Sequence, residues 1–319
     1  MNLTREQRTE RALFRGGNLT LDRVEYRDTV RTFLETLLRA DLAPRDLTVT
    51  ALGLSGKKSK ATVLAREGGI AAGIAELAFL LESRGLTVTT SKNDGEAIRP
   101  DDGLLWAEGD EMQLLALERV GLNLVQRMSG IATAVHCLQQ RAKRQCPATR
   151  VVGTRKTPWG LLDKRALHLG NGGTHRLGLG DAIVVKNNHL ALLAPREEDA
   201  APIAIERAWQ FRKESAFIEV EVRGEAAARA AAETFRRLRE EAAEDYPCLV
   251  MLDNMSPGQT GGIVEMLQRE ILWDHVLVEA SGGISESNVE AYAARGVDAI
   301  SIGALTHSAK ALDICERIS

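Results

Sequence analysis

Cysteine is scarce in this 319-residue chain: four are present, Cys137, Cys146, Cys248 and Cys315. They lack both the close pairing of a metal site and the density of a disulfide scaffold, so they read as reduced, buried, small apolar residues. An excess of charge of one sign is also missing. With 41 Lys and Arg against 44 Asp and Glu, the net charge is −3, which argues against a broad nucleic-acid or acidic-membrane surface. Any basic site must therefore be local. The first fifteen residues, Met1 to Arg15, contain no apolar core segment; neither a secretory signal nor a membrane anchor is expected there, and a cytoplasmic location follows. What the chain does have is 44% hydrophobic residues, ample for a buried core over about two domains.

Residues 1–20 show no sustained periodicity and are expected to form a flexible extension. From there the pattern changes. Val30, Phe33, Leu34, Leu37 and Leu38 form one stripe of an amphipathic helix. Alternating runs at Ala61–Ala65 and Leu86–Thr90, with a helical run from Ile74 to Glu82 between them, predict an α+β sandwich domain over residues 21–128. A long helix over about Gln113–Lys143 follows. Six short β-rich runs then recur, at Arg150–Thr154, Ala182–Lys186, Phe217–Val222, Cys248–Leu252, His275–Ala280 and Asp298–Ile302, with helical segments such as Ala227–Glu244 and Pro257–Ile271 between most of them. This alternation predicts an α/β fold, an open, TIM-like α/β barrel over residues 129–305. A C-terminal helix over 306–319 is expected to pack back on the N-terminal domain.

The unusual polar residues cluster at the C-terminal ends of those runs: Arg155, Lys156, Lys186, Glu221, Asp253, Ser281-Gly282-Gly283 and Gly303. In α/β barrels that rim carries the active site. Arg155, Lys156, His175, Arg176 and Lys186 would converge on one pocket for a multiply anionic ligand, since arginine suits planar carboxylates and lysine supplies a compact charge for phosphate oxygens. Any one of them alone would read as a solvated side chain. Ser281-Gly282-Gly283, before a helix expected near Ser285, can turn backbone N–H groups toward a phosphate, and Gly303 with His307 nearby would form a second cradle. Glu221 and Asp253 end adjacent strands, a placement suited to Mg²⁺, although pairing with Lys156 and Lys186 is the competing view. Glu219 shares a face with Glu221 by period two and ranks behind it.

At Gly153-Thr154-Arg155-Lys156-Thr157, Gly172-Gly173-Thr174-His175-Arg176 and Val185-Lys186-Asn187-Asn188-His189 the chain resembles the quinolinate phosphoribosyltransferase family. The resemblance continues through Glu118-Arg119, Ser129-Gly130-Ile131, Glu219-Val220-Glu221-Val222, Met251-Leu252-Asp253-Asn254, Glu279-Ala280-Ser281-Gly282-Gly283 and Gly303–Ser308. It implies that Arg155, His175 and Arg176 hold the two carboxylates of quinolinate, with Lys156 and Lys186 near the reacting centre. It also implies that Glu221 and Asp253 meet the ribose hydroxyls and the Mg²⁺ of phosphoribosyl pyrophosphate. Arg119 resembles the residue that reaches the dicarboxylate from a neighbouring subunit, in a homo-dimer or hexamer of dimers; an ion pair with Glu118 is its plainer alternative.

The implied reaction joins the quinolinate ring nitrogen to C1′ of the phosphoribosyl donor, expels pyrophosphate and releases the 2-carboxylate as CO2, giving nicotinate mononucleotide for de novo NAD biosynthesis. Two rivals are disfavoured by the residues this chain retains. A relative on the same scaffold, such as the molybdenum-associated phosphoribosyltransferase-like proteins, need not keep Arg119, Arg155, His175 and Arg176. A non-catalytic phosphosugar-binding protein would be expected to lose Glu221, Asp253 or Lys186.

Overall fold

All six β-rich runs form strands of one parallel sheet. The structure is a computed structural model that describes residues 3–42, 45–54 and 56–319, and the chain divides into two units. The first unit comprises Met1–Arg15, Cys137–Thr157 and Gly172–Ala304. Its strands lie in the order Arg150–Val152, Ala299–Ser301, Leu277–Ser281, Cys248–Asp253, Ile218–Val222 and Ile183–Val185, and each neighbouring pair is parallel. Parallel neighbours need crossovers; the helices Glu197–Trp209, Glu225–Ala242, Pro257–Arg269 and Val289–Ala293 lie between successive strands. The two edge strands do not pair with each other. Instead Gly173 exchanges main-chain hydrogen bonds of 2.9 Å with Val151 and Gly153, so the sheet is open on that side.

Inside this unit, polarity changes along the strands. Phe217, Leu249, Leu277, Ala299, Ala182, Val184 and Val152 pack into one cluster with Ala12 and Leu13. Fully burying a side chain such as Phe217 contributes about 1.5–3 kcal/mol. Steps of two keep to one strand face. From Phe217 they lead to Glu219 and Glu221, from Leu277 to Glu279 and Ser281, and from Leu249 to Met251 and Asp253. The row beyond the apolar cluster thus carries buried acids, and the strand ends carry the polar residues singled out above.

The expected loose extension over residues 1–20 is replaced by a helix, Arg5–Leu13, whose capping box joins Thr4 and Gln7; Met1 and Asn2 lie outside the described residues. Three sets of ion pairs hold this segment. Arg5 pairs with Asp298, Arg150 with Glu6 and Glu10, and Arg15 with Asp181 at 2.8 Å. The Thr4-x-x-Gln7 signature was available in the sequence, but the helix's apolar face is short and its anchors are distant in sequence.

The second unit comprises Gly16–His136, Pro158–Asn171 and Leu305–Ser319, so residues 158–171, expected within the barrel, belong here. Its four-stranded sheet runs Ile314–Ile318, Lys58–Ala65, Gly103–Asp110, Thr87–Thr90, all antiparallel. On Lys58–Ala65 the buried residues are Ala61, Val63 and Ala65, the alternation of a strand with one covered face. The helix Ile74–Glu82 packs on two of the strands. The expected C-terminal helix is a correction: residues 304–307 form one short helical turn, and Ile314–Ile318 is a strand. Its β-branched Ile314 and Ile318 favour the pleat, and pairing with Lys58–Ala65 satisfies its backbone.

Candidate active site at the C-terminal ends of the parallel strands

Lys186 follows the edge strand directly and places its Nζ 3.5 Å from Glu221 Oε2. Its side chain is half exposed whereas that of Glu221 is buried, so the pair presents a cation to solvent over a sheltered carboxylate. On the neighbouring strand Asp253 lies two residues beyond Met251, the partner of Glu221 in register. Asp253 Oδ2 accepts a hydrogen bond of 2.8 Å from Asn254 Nδ2. Arg155 and Lys156 follow the opposite edge strand and are exposed, and the Lys156 N–H donates to Thr154 Oγ1 at 3.1 Å. Arg176 is buried and donates from Nη1 to the Ala182 carbonyl at 3.1 Å. Burial and then the charge of Arg155 push Arg176 below its ordinary value, which records that these two cations share one region.

The glycines bend the chain at the ends of adjacent strands. Gly282 has φ of +90° and Gly283 of +62°, in the region that glycine enters without strain. A Cβ on Gly282 would fall 2.4 Å from Asn254 Oδ1 and 2.8 Å from its backbone nitrogen, whereas one on Gly283 would meet nothing within 4 Å. Gly283 therefore faces open space, as a backbone cradle requires. The helix expected near Ser285 begins only at Val289, because Ser285 N–H donates to Asn288 Oδ1 and Asn288 Nδ2 to the Gly283 carbonyl, tying the intervening residues into a turn. Gly303 follows the strand Ala299–Ser301 and precedes the turn Ala304–His307.

His175 lies deeper than expected. Its Nε2 is 3.0 Å from Glu219 Oε2 and 3.4 Å from Glu279 Oε2, and its Nδ1 accepts the Arg176 N–H at 2.8 Å. Both ring nitrogens therefore face protein groups. Burial works against a charged imidazole here while the two carboxylates push His175 upward. A charged ring would carry a proton on Nδ1, where the Arg176 N–H already donates, so the local geometry holds the ring neutral with its proton on Nε2. Burial, helped by Glu279, lifts Glu219 to about 7. Glu279 was missed as a site residue in the sequence; its spacing of two before Ser281 was the available signal. The support of this segment by the N-terminal helix was missed as well: His175 N–H donates to the Leu13 carbonyl at 2.9 Å, and the Arg15 N–H to Thr174 Oγ1 at 2.9 Å.

Two expected site residues belong to the second unit. Arg119 is exposed and 3.4 Å from Glu118, the ion pair named as its alternative. His307 Nδ1 lies 2.7 Å from Ser308 Oγ.

Glu221 and Asp253 fit a hard divalent cation in donor chemistry, both being carboxylates on one face of two adjacent strands. Among the described residues, however, three potential ligand groups come together only at His175, Glu219 and Glu279. The Glu221 and Asp253 pair is thus not a complete protein cage; it suits an ion that keeps water and substrate oxygens.

Models of two domains match this chain: the quinolinate phosphoribosyl transferase C-terminal domain over residues 131–315 and the N-terminal domain of the same family over residues 46–129. A probable nicotinate-nucleotide pyrophosphorylase (carboxylating) of Methanothermobacter thermautotrophicus is 37% identical over 284 residues, 88% of this chain and 96% of that protein. A nicotinate-nucleotide pyrophosphorylase (carboxylating) of Mycobacterium leprae is 36% identical, over 90% of this chain and 95% of its own length. Among solved structures, the nicotinate-nucleotide pyrophosphorylase of Francisella tularensis superposes with a TM-score of 0.76 at 26% identity, covering 92% of this chain and 96% of that one. On these matches, the chain belongs to the quinolinate phosphoribosyltransferase family.

Proposed function

We propose that the chain transfers a phosphoribosyl group from phosphoribosyl pyrophosphate to quinolinate, forming nicotinate mononucleotide, CO2 and pyrophosphate in de novo NAD biosynthesis. The observation that carries this reading is the gathering of Arg155, Arg176, Lys186, Glu221 and Asp253 at one end of a parallel sheet in a chain of this family. Arg155 and Arg176 hold the dicarboxylate. Lys156 and Lys186 stabilise the departing pyrophosphate, and Glu221 and Asp253 fix the ribose and offset the positive charge that develops at C1′. Gly282, Gly283 and Gly303, with Ser281 and His307, serve the sugar phosphate. Mg²⁺ would be held by Glu221 and Asp253, mainly through water and substrate oxygens, and would supply charge neutralisation for the pyrophosphate. Quaternisation of the ring nitrogen makes it the electron sink for loss of the 2-carboxylate, so no strong general base is needed.

Arg119, exposed on the helix Glu111–Gln145, is read as the residue donated to a neighbouring subunit's site in a homo-oligomer. The location is read as cytoplasmic; no helix is long and apolar enough to cross a membrane. The test is to supply Mg²⁺, phosphoribosyl pyrophosphate and either quinolinate or nicotinate, and follow the mononucleotide. Turnover of quinolinate is expected; turnover of nicotinate alone would overturn the assignment.

A further inference from the structure

We infer that Glu219 and Glu279 are positioning residues of the acceptor pocket, which lock the His175 ring and through it Arg176, so that His175 supports the quinolinate site from beneath. The inference rests on the functional reading above. It begins with the backbone. His175 has φ of +54°, a conformation that costs a residue with a Cβ of order 1–3 kcal/mol and persists only where its surroundings impose it. The Leu13 carbonyl holds its N–H at 2.9 Å, and the same turn directs the following N–H, that of Arg176, onto His175 Nδ1. A backbone N–H can only donate, so Nδ1 keeps its lone pair and the ring proton sits on Nε2.

That proton points into the barrel. Nε2 lies 3.0 and 3.4 Å from one oxygen each of Glu219 and Glu279, both carboxylates are fully buried, and Phe217 meets the ring edge-on at a centroid distance of 5.3 Å. Among the described residues the four carboxylate oxygens and His175 Nε2 all lack a hydrogen bond of good geometry to any other group, so His175, by its 3.0 and 3.4 Å approach, is the cation-capable group placed to engage them. Barrel interiors are ordinarily filled by bulky apolar side chains, as the neighbouring cluster of Phe217, Leu249 and Leu277 is here. Two acids in the next row are costly to bury. Their placement directly under the His175-Arg176 pair gives them a role in orientation.

A metal centre is the rival reading, since one ligand atom from each of the three residues lies within 4.8 Å of the others. Coordination through Nε2 would require the ring proton to move to Nδ1, where the Arg176 N–H already points. The tautomer thus favours positioning over ligation.

The test compares Glu279→Met, which removes the acceptor, with Glu279→Gln, which keeps one, in the full-length chain. Glu279→Met is expected to raise KM for quinolinate tenfold or more while KM for phosphoribosyl pyrophosphate changes less than twofold; Glu279→Gln should return the former to within threefold of the parent. In chain labelled with 15N-histidine, His175, assigned by its loss in His175→Asn, should show a neutral ring protonated at Nε2. Equal rises in both KM values, a proton on Nδ1, or stoichiometric Zn²⁺ held by the unaltered chain and lost in Glu279→Gln would each overturn the inference. If Glu279→Met fails to fold, the tautomer and the Glu279→Gln kinetics still decide. If the unaltered chain does not turn over quinolinate, the functional reading fails, and the tautomer alone judges the positioning claim.

Discussion

Lys186 Nζ stands 3.5 Å from Glu221 Oε2, a half-exposed cation over a buried carboxylate. Such a pair contributes little to stability because solvent screens its outer member; about 0–1 kcal/mol is usual. In the proposed reaction it places one charge for the leaving pyrophosphate and another for the ribose. Lys186→Ala is therefore expected to lower kcat by roughly 10²–10³, the loss typical of one well-aimed donor, while thermal unfolding stays nearly unchanged. A fall in melting temperature large enough to explain the lost activity would contradict this role.

Gly282→Ala tests the strand-end turn. The added Cβ would enter Asn254 at 2.4 Å and force a residue with φ of +90° into a strained region. A stability loss of about 1–3 kcal/mol and a raised KM for phosphoribosyl pyrophosphate are expected, because Asn254 also holds Asp253. Gly283→Ala, strained but without a steric clash, should be the milder change in stability. The reverse order in denaturant melts would show the turn to be wrongly described.

Much of this architecture was legible beforehand. The six parallel strands and the helix Ile74–Glu82 follow from periodicity, since period-two and period-3.6 patterns are local and the covered face is apolar. The strand-end placement of Lys186, Glu221 and Asp253 follows from where those runs stop. The helix Arg5–Leu13 was not legible, because what fixes it is pairing with Asp298 and Arg150, far away in sequence. The strand Ile314–Ile318 was misread as a helix because five residues carry little pattern and its partner is about 250 positions earlier. The depth of His175 was hidden for a related reason: its neighbours Glu219 and Glu279 come from two strands that are not adjacent.

The N-terminal helix should be a stability element of the first unit. Asp298 is buried and is held by Arg5 and by the Val278 N–H at 2.7 Å. Arg5→Met would leave that carboxylate without its cation, and removal of one partner of a buried pair costs about 3–5 kcal/mol. Chemical denaturation should show a loss of that order. A change below about 0.5 kcal/mol, the size of an ordinary surface substitution, would mean that the helix is not needed to hold the unit together.

Glu316 supplies a pH test away from the site. Burial, reinforced by Glu118, lifts its carboxyl from an ordinary 4.5 to about 7. The folded state then binds this proton more tightly than the unfolded chain does. The stabilisation is complete below about pH 4.5 and is lost as pH rises through about 7. Glu316→Gln, which cannot ionise, should equal the parent near pH 4 and exceed it by about 1 kcal/mol at pH 8, a figure reduced for partial solvent access. An equal difference at both pH values would show that Glu316 is not strained by its ionisation.

The most direct test of the account follows the carbon that leaves. Quinolinate labelled in its 2-carboxylate or in its 3-carboxylate would be incubated with the chain, Mg²⁺ and phosphoribosyl pyrophosphate, and released CO2 and pyrophosphate counted together. Label is expected in CO2 from the 2-carboxylate alone, with one CO2 for each pyrophosphate, and none without the phosphoribosyl donor. Release of pyrophosphate with no labelled CO2, or of CO2 in the absence of the donor, would contradict it.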